Sequence, residues 1–331
     1  MKKTSIALVT GGAGFIGSHM VDLLLKNNFK VRVIDNFSGG HEKNLSHNLN
    51  NSDLEIEKND ICKINVNNKI FNDVNYIFHF AGIGDVVPSI EKPYEYLKTN
   101  VLGTVNILDI SRNCPLKKFV YSASSSCYGL ASTPTDEKHP ISNLYPYALS
   151  KYQGEQCCFH WNKVYKLPVN SIRIFNAYGT RVRTTGAYGA VFGVFLKQKI
   201  ENQPLTVVGD GSQKRDFLYV TDVAEAFYAA SKTDKVGEIY NLGAGNPQTI
   251  ESLTKLIGGE VVHLPKRPGE PDCTWANISK IKKDLNWYPK NSFEDGVELM
   301  IQDIQNWKDA PLWNKDNIKE ATKTWFKFMK K

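Results

Sequence analysis

Six short apolar runs, rich in β-branched and aromatic residues, punctuate the first half of the chain at positions 5–10, 30–35, 54–58, 76–80, 118–123 and 169–175. Their length and composition predict strands. Helical periodicity fills most of the intervals, notably 15–27, 91–113 and 146–165. Strands alternating with helices predict an α/β fold, a doubly wound parallel sheet with helices on both faces.

Beyond residue 176 the rhythm weakens, and Gly179, Gly186, Gly189, Gly193, Pro204, Gly209 and Gly211 interrupt it. Short strands at 205–208, 238–242 and 261–264 mix there with short helices. The pattern predicts a smaller mixed α/β lobe over 177–331, formed by excursions from the sheet of residues 1–176. The Asn-rich stretch 41–52 reads as an irregular, exposed loop. In the tail, Lys315, Lys319, Lys323 and Lys327 recur every four residues, while Ile318, Thr322, Trp325 and Met329 share another face. That pattern predicts one amphipathic helix with a basic side, packed on the body.

Composition narrows the function. With 331 residues, 41% hydrophobic and 23% charged, the chain is an ordinary folded protein with a large core. The net charge of +7 comes from dispersed lysines without any recognition motif, which points away from nucleic acid. No apolar run is long enough for a membrane span, and the start leads straight into a strand, so a cytoplasmic location is expected. The cysteines at 62, 114, 127, 157, 158 and 273 lack C-x-x-C and metal-ligand spacing, and the histidines form no cluster. Reduced thiols and no metal are expected.

Residues 10–17 read T-G-G-A-G-F-I-G, after a strand and opening a helix. Glycines at 11, 14 and 17 allow a tight turn, close approach of a pyrophosphate to the backbone, and close packing of helix on strand. The sheet is therefore of Rossmann type. Asp35 closes the second strand about 20 residues on, where a carboxylate accepts the adenosine ribose hydroxyls and repels a 2′-phosphate. This favours NAD over NADP.

Residues 147–151 read Y-A-L-S-K, which puts Tyr147 and Lys151 one turn apart on one helix face. A free phenol titrates near ~10. The Lys151 ammonium and a nicotinamide cation both favour the phenolate, so Tyr147 is expected to act as a base near neutrality. Ser124, Ser125 and Ser126 follow the fifth strand, and their hydroxyls could bridge Tyr147 and a substrate oxygen.

With further motifs at 34–36 (I-D-N), 59–61 (N-D-I), 79–82 (H-F-A-G), 122–129 (S-A-S-S-S-C-Y-G), 173–179 (R-I-F-N-A-Y-G), 215–217 (R-D-F) and 267–270 (R-P-G-E), the chain from about 5 to 300 resembles the NAD-dependent epimerase/dehydratase family of extended short-chain dehydrogenases/reductases. Within it, the chain is similar to UDP-sugar 4-epimerases of the UDP-galactose and UDP-N-acetylglucosamine type. By that resemblance Gly11, Gly14, Phe15, Ile16, Gly17, Asp35, Asn36, Asp60, Ile61, Phe80, Ala81, Asn100, Tyr147 and Lys151 hold a tightly bound NAD that each turnover regenerates. Ser124, Tyr147 and Lys151 carry the chemistry. Ser124, Ser125, Asn176, Arg215, Arg267, Glu270 and Thr274 face a UDP-sugar. A homodimer built on the helices at 91–113 and 146–165 is also implied.

Departures refine the picture. Gly84 stands where galactose epimerases carry a cofactor-touching lysine. Ser125 and Ser126 stand where 4,6-dehydratases and UDP-glucuronate decarboxylases carry acids, which favours epimerisation. Thr274, small and just before Trp275-Ala276, and the segment 186–191 resemble epimerases of N-acetylated UDP-hexosamines. UDP-glucose/galactose and UDP-glucuronate remain alternatives, as does a 4-keto reductase. A non-catalytic NAD-binding regulator would lose the tyrosine or lysine that this chain keeps.

Overall fold

A computed structural model describes residues 4–184, 191–266 and 270–329. Its centre is a seven-stranded sheet. In chain order the first six strands are β1 (Ile6–Thr10), β2 (Lys30–Asp35), β3 (Leu54–Lys58), β4 (Tyr76–His79), β5 (Lys118–Ser124) and β6 (Val169–Ile174). Strand Glu238–Leu242 is the seventh; it returns from the C-terminal part to pair with β6. Across the sheet the order is Glu238–Leu242, β6, β5, β4, β1, β2, β3, and every pairing is parallel. The order reverses beside β1, and such a switch point opens a crevice at the carboxyl ends of the strands.

Burial on both faces explains the near-continuous apolar strands. Helix α1 (Phe15–Lys26) packs with helix Val220–Lys232 on one face, over Val9, Met20, Val33 and Phe227. Helix Pro146–Tyr165 and helix Thr104–Ser111 cover the other, over Ile77, Ile107, Phe119 and Tyr121. A third cluster beyond residue 176 is aromatic: Tyr178 stacks on Phe192 at 4.6 Å and Phe217 on Phe293 at 5.3 Å. Among the described residues no helix is long and apolar enough to cross a membrane.

Three local expectations need correction. The helix expected at 91–113 is broken: Pro88–Glu91 and Pro93–Leu97 are separate, a π segment spans Lys98–Gly103, and Thr104–Ser111 completes the run. Pro93 lacks an N–H and bars the helical region to Lys92, whose φ/ψ are −126°/48°. The loop expected at 41–52 contains a 3-10 helix, Glu42–Asn48, because Leu45 is buried and the His41 ring caps Lys43 N–H. The tail is two short helices, Lys315–Ala321 and Lys323–Met329, parted at Thr322, where φ/ψ are −100°/2°.

Candidate active site

The crevice begins at the glycine turn. Gly11 has φ +69°, and a Cβ there would lie 2.7 Å from the Ala81 nitrogen, so the turn abuts the loop after β4. At Gly17 a Cβ would lie 2.1 Å from the Gly11 carbonyl oxygen, which is how α1 comes so close to the turn. Gly14 is the N-cap of α1 and offers no side-chain acceptor to its first N–H groups. An uncapped helix start behind a glycine turn is an anion cradle. Phe15 and Ile16 form the helix's first turn.

Asp35 is buried at the end of β2, where its carboxylate accepts from Ala13 N at 2.9 Å and Phe37 N at 2.8 Å. Burial pushes its pKa up, while the two amides pull it down. Asn36 accepts from Ser38 N at 3.0 Å, and Asp60 from Cys62 N at 2.9 Å, so both shape turns along the crevice. Ile61 is buried beside Asp60. Phe80 packs on Phe227 with ring centroids 4.6 Å apart. Ala81 lies against Gly11. These residues fit NAD: the glycines leave no room for side chains where a pyrophosphate would lie, and each Asp35 oxygen keeps acceptor capacity for a ribose hydroxyl.

Asn100 sits in the π segment and is buried. Its amide spans Ile83, accepting from N at 2.8 Å and donating to O at 3.1 Å, and donates to Ser150 Oγ at 2.9 Å. Ser150 in turn donates to the Tyr147 carbonyl at 2.8 Å. The loop after β4 is thereby tied to the first turn of helix Pro146–Tyr165. A Cβ on Gly84 in that loop would meet open space.

That helix starts with Pro146 at N1, which pre-sets φ. The Tyr147 and Ser124 hydroxyls are hydrogen-bonded, and Ser124 Oγ also accepts from Ser126 N at 3.2 Å. Ser125 opens the 3-10 turn Ser125–Tyr128. Burial pushes the Tyr147 phenol up to about 12, and the Ser124 contact pulls the other way. Lys151 is buried, its ammonium 4.9 Å from the centroid of the Tyr121 ring. Burial lowers it to about 8, against the pull of Cys158 and Glu155. At neutral pH the pair is a phenol beside an ammonium; a base at Tyr147 requires the positive charge that a bound dinucleotide brings.

The residues expected to face the nucleotide come from elsewhere in the chain. Arg215 donates to Glu270 at 2.9 Å and to the Lys214 and Pro271 carbonyls at 2.9 Å each. Three of the five donors of a guanidinium are thus engaged. Arg215 and Glu270 line a cleft of about 260 Å³ with Gly209, Ser212, Gln213 and Lys266. Thr274 donates to Asn176 Oδ1 at 2.6 Å. Arg267 and residues 186–190 lie outside the described residues.

Sequence reasoning missed four side chains here. Asp216 is fully buried and accepts from Gly245 N and Ala276 N, both at 2.9 Å, clamping the segment that carries Thr274. Tyr145, just before Pro146, hydrogen-bonds Ser126 and feels Glu270 and Arg215. The other two form a buried pair. Arg173 donates from Nε to Glu155 at 3.0 Å and from Nη1 to the Tyr128 hydroxyl at 2.7 Å. Glu155 lies on the Tyr147 helix and Arg173 on β6, so the pair fixes that helix on the sheet. The motif R-I-F-N contained the arginine, but its partner lies 18 residues away with no local signal. Removing one member leaves a buried charge unpaired, so Glu155→Ala should lower unfolding stability by about 3–5 kcal/mol. Denaturant melts that match wild type would refute that role.

Known proteins resemble this chain. The Bacillus cereus UDP-glucuronic acid 4-epimerase, solved with UDP-glucuronic acid and NAD, is 33% identical, with a TM-score of 0.84 over 91% of this chain and 99% of its own. The UDP-N-acetylglucosamine 4-epimerase of Methanobrevibacter ruminantium M1, in complex with UDP-N-acetylmuramic acid, is 30% identical, with a TM-score of 0.85 over 92% and 98%. UDP-glucuronic acid decarboxylase 1 of Arabidopsis thaliana is 33% identical over 311 residues, 90% of this chain and 69% of its own. Residues 7–243 match the NAD dependent epimerase/dehydratase family, and with the glycine cradle, Asp35 and the Tyr147–Lys151 pair at the sheet's switch point, the chain belongs to that family.

Proposed function

We propose that this protein is a UDP-sugar 4-epimerase acting on UDP-N-acetylglucosamine and UDP-N-acetylgalactosamine, with UDP-glucose and UDP-galactose as further substrates. The observation that carries this reading is the Ser124–Tyr147 hydrogen bond beside buried Lys151, with Ser125 and Ser126 supplying no acid. Elimination of water calls for a further acid, whereas inversion needs one proton-transfer group.

Bound NAD supplies the acceptor, and then the donor, of the carbon-4 hydride, without net consumption. Gly11, Gly14, Phe15, Ile16, Gly17, Asp35, Asn36, Asp60, Ile61, Phe80, Ala81 and Lys151 hold it, and Asn100 holds the loop against which it lies. Ser124 orients the sugar 4-hydroxyl towards the phenolic oxygen of Tyr147. Tyr147 takes that proton and, once the keto sugar has turned over, returns it to the 4-keto oxygen. Residues 177–331, with Asn176, act as the substrate lobe. Arg215, Arg267 and Glu270 grip the nucleotide there, and Thr274 borders the sugar. A firm grip far from carbon 4 leaves the sugar free to turn over.

Asp85 supports an uncharged sugar, since the field of its carboxylate reaches Tyr147 and helps to raise that phenol's pKa. A uronate would add a second anion. The alternative, UDP-glucuronate, rests on the relative solved with it and on Arg183, a half-exposed cation 3.7 Å from Asp85. We also infer a homodimer, supported by exposed Tyr94, Leu102, Leu149, Val164 and Tyr165 on the helices at 93–111 and 146–165.

Incubation with UDP-GlcNAc, UDP-Glc or UDP-GlcA without added cofactor tests the reading. Mass spectrometry should show unchanged mass, and proton NMR an inverted carbon-4 coupling pattern, for UDP-GlcNAc. Loss of water or carbon dioxide would overturn epimerisation, and turnover of UDP-GlcA alone would overturn the choice of sugar.

A further inference from the structure

The two tail helices bury a face of their own. Asn314 and Asn317 form a capping box at the start of Lys315–Ala321, and Ile318 and Thr322 are buried. The second helix, Lys323–Met329, reaches back across the molecule. Its Trp325 is 7% exposed, with its ring 5.7 Å from that of Tyr145. Beside it, Thr324 donates to Glu91 at 2.8 Å. Glu91 ends the short helix Pro88–Glu91, which begins three residues after Asp85.

Tyr145 adjoins the start of the Tyr147 helix, and Glu91 belongs to the segment that carries Asp85. Tyr145 precedes Pro146, hydrogen-bonds Ser126, and lies near enough to Tyr147 to bias its proton affinity. Asp85 biases Tyr147 from the other segment, and its carbonyl accepts from Tyr96 at 2.6 Å. Tyr96 meets the Tyr147 ring edge-on at 6.4 Å.

We propose that Trp325 is a positioning residue for the active site. The C-terminal helix is a buttress that sets Tyr145 and residues 85–91 around Tyr147 and closes one side of the sugar pocket. The pocket's identity rests on the function proposed above. The physical need is plain: a keto sugar that must turn over between half-reactions escapes from a pocket with a loose wall. A large aromatic ring suits the task, because it brings wide contact area at low cost in side-chain entropy.

The test compares wild type with Trp325→Ala, Trp325→Phe and a chain lacking residues 323–331. Hydrogen exchange needs no substrate; in Trp325→Ala and in the shortened chain, exchange should speed about fivefold or more in peptides covering 84–92 and 142–150, and not in β1–β3. With the UDP-sugar that wild type turns over, KM should rise about tenfold while kcat falls by less than about threefold. Reduced cofactor should accumulate as keto sugar is lost, seen as near-ultraviolet absorbance, and Trp325→Phe should restore both readouts. Unchanged exchange, exchange raised throughout the molecule, an unmoved KM, or a phenylalanine variant no better than alanine would each overturn the proposal. A wild-type enzyme that epimerises no UDP-sugar would overturn the function while leaving the exchange result to judge the buttress.

Discussion

Tyr147→Phe is expected to lower epimerisation by about a thousandfold or more while the purified protein keeps its bound NAD. Proton transfer by a positioned group contributes about 10²–10⁴-fold, and the ring stays to pack edge-on against Tyr96. Only the hydrogen bond to Ser124 is lost, so stability should change by no more than about 1.5 kcal/mol. A companion change separates chemistry from packing. Burial pushes the Tyr147 pKa up, and Ser124 pulls it down. Ser124→Ala should therefore move the acidic limb of the rate profile to higher pH, costing most activity at neutrality and regaining part of it in alkali. Undiminished turnover in Tyr147→Phe, or a limb that moves down in Ser124→Ala, would remove Tyr147 from the role of base.

Lys151→Met is expected to do two opposite things. Turnover should fall at least a hundredfold, since the cation that favours the phenolate is gone. Stability at neutral pH should rise. Burial lowers Lys151 from 10.5 to about 8, so the folded state disfavours its charged form. Below pH ~8 the group is charged both folded and unfolded, and the whole penalty, about 3 kcal/mol at ~1.4 kcal/mol per pKa unit, is present. Between ~8 and ~10.5 the penalty shrinks, because the unfolded chain there binds more protons than the folded one; above ~10.5 it is gone. The cation over the Tyr121 ring offsets part of it. The net gain on substitution should be about 1–3 kcal/mol at pH ~7, fading towards pH ~10.5. Melting temperatures across that range check the sign; a loss of stability at neutrality would mean that the ammonium is well solvated or paired in the folded protein. The expected gain would make the lysine an instance of activity kept at the expense of stability.

What could be read from the sequence was whatever is local. Short apolar runs between helical stretches predicted six sheet strands to within a residue or so, because a strand buried on both faces must be apolar along its whole length. The glycine turn was legible because Gly11 and Gly17 sit where a Cβ cannot fit. The Tyr147–Lys151 pair was legible because four residues make one helical turn.

Tertiary structure decided the rest, through contacts between residues that nothing local connects. It recruited Glu238–Leu242 into the main sheet and split the tail at Thr322. It joined Arg173 to Glu155 and spent the carboxylate of Asp216 on the backbone at Gly245 and Ala276, 29 and 60 residues away. It brought Trp325 to Tyr145 from the far end of the chain. It also set the proton affinities of the reacting pair: spacing predicted a phenolate, yet burial raises the phenol and lowers the ammonium. Desolvation depends on everything packed around a group, and that environment is assembled from the whole chain.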